Sequence, residues 1–111
     1  MDTERAEVAP GGPADEAQID ETIRRALRPG APPQYDELVA LEQALLLIIA
    51  DLYAVVAEQQ LGPREESSLT AIRTQTAVGL GAGLVSAHQQ VRALARNCLW
   101  LLEQRAAGAR S

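Results

Sequence analysis

Residues 38–57 read LVALEQALLLIIADLYAVVA, and only Glu42, Gln43 and Asp51 interrupt the apolar run. Leu38, Leu41, Leu45, Ile48, Leu52 and Val55 step by three and four, so they share one helical face. The alternation a strand would need is missing from residues 44–50, and the run far exceeds the usual strand of about 5–6 residues. Asp36 and Glu37 fall where carboxylates suit the positive end of a helix. Pro63, just after Gly62, is expected to stop it. Val39, Leu46, Leu47, Ile49, Tyr53 and Val56 lie off the stripe. A helix apolar on more than one face is buried on more than one face. This one therefore meets two neighbours, or one neighbour and a second copy of the chain. A membrane span needs ~20 mostly apolar residues without charge near the centre. Here two carboxylates break the run and the flanks are acidic rather than rich in Lys and Arg. The expectation is a core helix and no membrane.

The other helices are read as its cover. Residues 1–14 carry charge, Pro and Gly and predict a disordered tail. Residues 15–28 predict a short helix capped by Asp15, with a narrow stripe of Ile19, Ile23 and Leu27. Residues 29–33, PGAPP, form a stiffened linker. The helical core spans 34–106: the central helix to about Gln60, a shorter helix over residues 64–78 with Leu69, Ile72 and Val78, and a last helix over residues 84–106. The last stripe is Leu84, Ala87, Val91, Leu94, Cys98 and Leu101, and residues 108–111 are expected to fray. The connections are short, which favours antiparallel neighbours. The fold expected is an all-α, antiparallel three- to four-helix bundle in a single domain over residues 15–111.

The 111 residues carry a formal net charge of −5 and no Lys. The charge is uneven, with twelve acids and four Arg in residues 1–60 against three Glu and six Arg in residues 61–111. An acidic chain has no electrostatic reason to seek nucleic acid. One cysteine allows neither an internal disulfide nor a cysteine metal cluster. No secretory leader opens the sequence, so a cytoplasmic location is expected. Phe is absent, and Tyr35, Tyr53 and Trp100 are the only aromatic residues.

Few residues suggest chemistry. The run Gly79-Leu80-Gly81-Ala82-Gly83 precedes a helix, but a nucleotide fingerprint needs a preceding strand; a helix-ending Gly and a turn explain it better. His88, Arg92 and Arg96 step by four along one face. They form a candidate anion or ligand face, with Arg as the bidentate donor, or they face the acidic central helix, or they are a solvated face. Cys98 sits on the apolar stripe and cannot reach His88 within one helix. No Glu-x-x-His occurs, so a di-iron site is not expected. No catalytic residues, cofactor or metal are assigned. Leu46, Ile49, Tyr53, Leu99 and Trp100 are candidate interface residues; Leu99 and Trp100 either cover a neighbouring helix or meet another chain.

Leu38-x-x-Leu41-x-x-x-Leu45-Leu46-Leu47-Ile48, then Leu69-Thr70-Ala71-Ile72-Arg73, a Gly-rich turn, and Ala87-x-x-x-Val91-Arg92-x-Leu94-Ala95-Arg96-x-Cys98-x-x-Leu101 together resemble a small actinobacterial helical family of unknown function. Its members are often described as natural-product biosynthesis proteins because of where their genes lie. The likeness spans residues 35–104 and departs from the family where a Gly-His pair reads Glu42-Gln43. It brings no catalytic residues with it.

The expected function is a small non-enzymatic interaction or accessory protein, homodimeric or with a protein partner, serving a natural-product pathway. The alternative is a small-molecule-binding protein or accessory enzyme with an aliphatic pocket rimmed by His88, Arg92 and Arg96.

Overall fold

The computed structural model describes residues 16–110. The expectations for residues 1–14 and for the Asp15 cap fall outside them. Four helices account for most of the rest: α1 (Glu16–Ala26), α2 (Tyr35–Ala57), α3 (Pro63–Thr76) and α4 (Leu84–Arg110). Among the described residues there is no strand, and the all-α class holds.

Several helix ends differ from the sequence expectation. α2 stops at Ala57, three residues before the expected Gln60. The Glu58 N–H turns back to the Val55 carbonyl at 3.3 Å, and Pro63 instead opens α3. That is where Pro fits a helix best, because the first N–H has no partner there and φ is preset. α3 stops at Thr76, and Gly79 then takes φ +76°, the left-handed turn that favours glycine. α4 does not fray at Gly108 but runs through it to Arg110. Its Ala-rich last turns offset a single internal glycine, which costs about 1 kcal/mol relative to Ala.

The core is aliphatic. Leu38, Leu41, Leu45, Ile48 and Leu52 of α2 are buried as the stripe predicts, but the stripe then passes to Val56, which is fully buried, while Val55 is 47% exposed. The cause is the helical repeat: 3.6 residues per turn drifts away from a strict seven-residue step, so the face is regained at Val56. On α4, Ala87, Val91, Leu94, Cys98 and Leu101 are all fully buried, whereas Leu84, in the first turn, is exposed. Leu69 and Ile72 anchor α3; Val78 lies beyond its end and is exposed. Ile19, Ile23 and Ala26 of α1 join the same core, with Leu27 packed beside it.

α2 and α4 are the main partners. Tyr35 at the start of α2 donates from its hydroxyl to the Gly81 carbonyl just before α4, at 2.7 Å. Cys98 Sγ lies 4.0 Å from the Leu45 carbonyl near mid-helix, and the Gln59 carboxamide lies against Gly108 at the far end. Start meets start and end meets end, so the two long helices run side by side in the same direction. α3 carries the chain back between them. α1 meets the end of α4 through Glu16 and Arg105, 2.5 Å apart, and its last residues meet Arg92.

Candidate functional site

α4 carries two polar side chains that hold the short helices. Arg92 Nη1 donates to the Leu27 carbonyl at 3.1 Å and to the Arg28 carbonyl at 3.4 Å. These acceptors lie at the C-terminal end of α1, where carbonyls lack helical partners and a cation suits the dipole. Two residues earlier, Gln90 is the one polar side chain in the core among the described residues. Its Nε2 donates to the Gln75 carbonyl at 2.9 Å, and Gln75 Nε2 donates back to Gln90 Oε1. Gln75 lies in the last turn of α3. Residues two apart on a helix point to roughly opposite sides. Thus Arg92 fastens α1 on one flank of α4 while Gln90 fastens α3 on the other.

The expected His88–Arg92–Arg96 face is only partly assembled. His88 and Arg92 border a groove of about 440 Å³ with Pro29, Gly30, Pro32, Val85 and Gln89. Arg96 is exposed and does not line it. Sequence reasoning singled out Arg92 but missed Gln90, whose amide gives no signal until α3 is placed beside it. Glu21–Arg24 and Arg25–Glu37 complete the ion pairs among the described residues; both are exposed and contribute little.

Cys98 is fully buried, and burial pushes its thiol from 9.0 up to about 12. A thiol held neutral in this way is neither nucleophile nor metal ligand. Among the described residues no three His, Cys, Asp or Glu side chains converge as a metal site would require.

An apolar concavity lies between α2 and α3. It is an open groove of about 550 Å³ lined by Leu46, Ile49, Ala50, Tyr53, Ala54, Ile72, Arg73 and Thr76. It gathers three of the five expected interface residues. Ile49 is buried at its floor, while Leu46 and Tyr53 are half-buried on its wall. The other two sit apart on α4: Trp100 packs partly against the core, and Leu99 is exposed. Beside α1, where it shares a hollow with Gln18 and Thr22, Leu47 is 71% exposed. By length and composition α2 would also suit a membrane span, yet only 33% of its most apolar window is buried within the fold. Its other faces carry apolar surface that nothing in the described chain covers.

A model for a family of unknown function, DUF6415, matches residues 17–110. The chain belongs to this family. The match takes in α1, which the resemblance over residues 35–104 left out. DUF6415 membership supplies neither an activity nor a set of site residues. No curated protein and no solved structure matches the chain.

Proposed function

We propose that the chain is a small, non-enzymatic, cytoplasmic interaction protein, a three- to four-helix bundle, antiparallel between consecutive helices, that self-associates or holds a protein partner through the outer face of α2. One observation carries this reading: a long apolar helix has only 33% of its most apolar window buried, beside an open groove with a single charged group, Arg73. Exposed apolar surface of this kind marks contact sites. Service to natural-product biosynthesis rests on the sequence resemblance alone.

The test compares wild type with Ala50→Arg, a change at an exposed position that leaves the core intact. Light scattering and affinity purification from the native host should find the wild type in an assembly. That assembly is either heavier than the 11.9 kDa chain or contains a stoichiometric second protein. Ala50→Arg should release a lone chain with an unchanged helical circular dichroism spectrum. A wild-type monomer without partners at high concentration overturns the reading. So does a wild type that floats with neutral lipid vesicles, since the α2 face would then belong to a membrane.

A further inference from the structure

Val39, Gln43, Leu46, Ala50, Tyr53 and Ala57 form a second stripe on α2, stepping four, three, four, three, four. That is the seven-residue repeat of a helix–helix seam. None of the six is charged, and none belongs to the buried core: Val39, Leu46 and Tyr53 are half-buried, while Gln43, Ala50 and Ala57 are exposed. The stripe also fits its own reverse. Val39 and Ala57 lie equally far on either side of Ile48, as do Gln43 and Tyr53, and Leu46 and Ala50. Large therefore meets small at two layers, and an amide meets a phenol hydroxyl at the third. Aligned in the same direction, Leu46 would crowd Leu46 while Ala50 faced Ala50 across a gap. A two-fold contact requires this reciprocity, with one residue meeting a second and the second meeting the first.

We infer that the α2–α3 groove receives α2 of a second copy of this chain, the two helices lying in opposite directions about Ile48. This rests on the interaction reading above and names its partner. Charge agrees with it. Reversal sets Glu42 of one copy beside Ala54 of the other, and Ala54 shares the groove with Arg73. Among the described residues neither Glu42 nor Arg73 has an ion-pair partner. Each copy thus offers an acid to the other's arginine, twice per dimer. Area favours a seat in the groove over a bare line of helix against helix. A helix of 23 residues is roughly 34 Å long and about 10 Å wide, so its bare strip is roughly 340 Å². A stable dimer needs about 800 Å² per partner. Two helices touching along a line would fall short, whereas an α2 seated between α2 and α3 adds the α3 wall.

The experiment is directed cross-linking of the full chain. Val39→Cys and Ala57→Cys chains are oxidised separately and mixed; the native Cys98 is buried and does not compete. In the reversed alignment Val39 adjoins Ala57 of the other copy, while the two Val39 positions lie about 27 Å apart, far beyond disulfide reach. A cross-linked dimer in the mixture and none in either chain alone supports the inference. Cross-links within each separate chain, or none in any combination, overturn it. As a second readout, Glu42→Arg and Arg73→Glu should each weaken the dimer about tenfold, and the double variant should recover most of the loss. Single variants without effect overturn the groove placement. A wild-type monomer that keeps a stoichiometric host protein, lost with Ala50→Arg, overturns self-pairing and leaves the interaction reading in place. A monomer with no partner overturns both.

Discussion

Arg92 has a structural task that its spacing in the sequence does not announce. Its guanidinium spans the Leu27 and Arg28 carbonyls. Both bonds leave one terminal nitrogen, Nη1, which the rigid guanidinium plane holds in place, whereas a Lys ammonium is more strongly hydrated and sits on a more flexible stem. Arg92→Ala should therefore loosen α1 by about 1.5–3 kcal/mol, the usual range for a hydrogen bond to a charged group. Arg92→Lys should recover only part of this. Hydrogen exchange is the measurement: amides of α1 should exchange faster while those in the middle of α4 keep their protection. Equal acceleration in both would show that α1 is no separate unit. The sequence marks Arg92 as unusual but cannot show why, because its acceptors lie some 64 residues away and are backbone atoms with no residue signature. Cys98 was the more legible residue: its place on the Leu94–Leu101 stripe already implied an inert thiol. Its thiol is raised by burial from 9.0 to about 12. The folded state thus holds this proton more tightly than the unfolded chain does. The stability it contributes is complete below about pH 9 and is lost as pH rises from there towards 12. Cys98→Ala should flatten the alkaline limb of the stability curve above pH 9. A limb of unchanged slope would assign it to other groups.

At the scale of elements, the helices were legible because apolar spacing alone determines them. Their ends were not, because ends depend on single backbone choices. Gly62-Pro63 reads as a terminator, yet it starts α3, and α2 ends five residues earlier. The exchange of Val55 for Val56 has a different origin, a drift of the helical repeat too small to see over one or two turns. α1 is the least secure element, with Ile19, Ile23 and Ala26 buried and exposed ion pairs around them. A helix of 11 residues is marginal by itself. Ile23→Asp should release α1 while α2, α3 and α4 stay folded. Leu94→Ala, in the fully buried centre of α4, should instead destabilise the whole unit by about 2–5 kcal/mol. Urea unfolding followed by far-ultraviolet circular dichroism and by Trp100 fluorescence separates the two cases. Ile23→Asp should lose helix signal without a Trp100 transition, and a joint loss of both signals would show that α1 is indispensable.

For the whole molecule, the sequence made clear that α2 has more apolar surface than one partner can use. It did not show where the surplus goes, because the direction of α2 against α4 follows from three-dimensional placement. With α2 and α4 running the same way and α3 returning beside them, the surplus is left facing out between α2 and α3. If that surface closes on a second copy, folding and association are linked. Unfolding a dimer releases two chains, so a higher concentration favours the folded state. A tenfold increase adds about 0.7 kcal/mol per chain, which for a domain of this size raises Tm by about 3–6 °C. The wild type should show this rise in calorimetry across two decades of concentration. Ala50→Arg should melt at one temperature throughout, close to the wild type's low-concentration limit, because Ala50 lies outside the core. Equal, concentration-independent melting of both chains would mean that the outer face of α2 contributes nothing to the folded state. Its apolar stripe would then have to be explained by a partner other than itself.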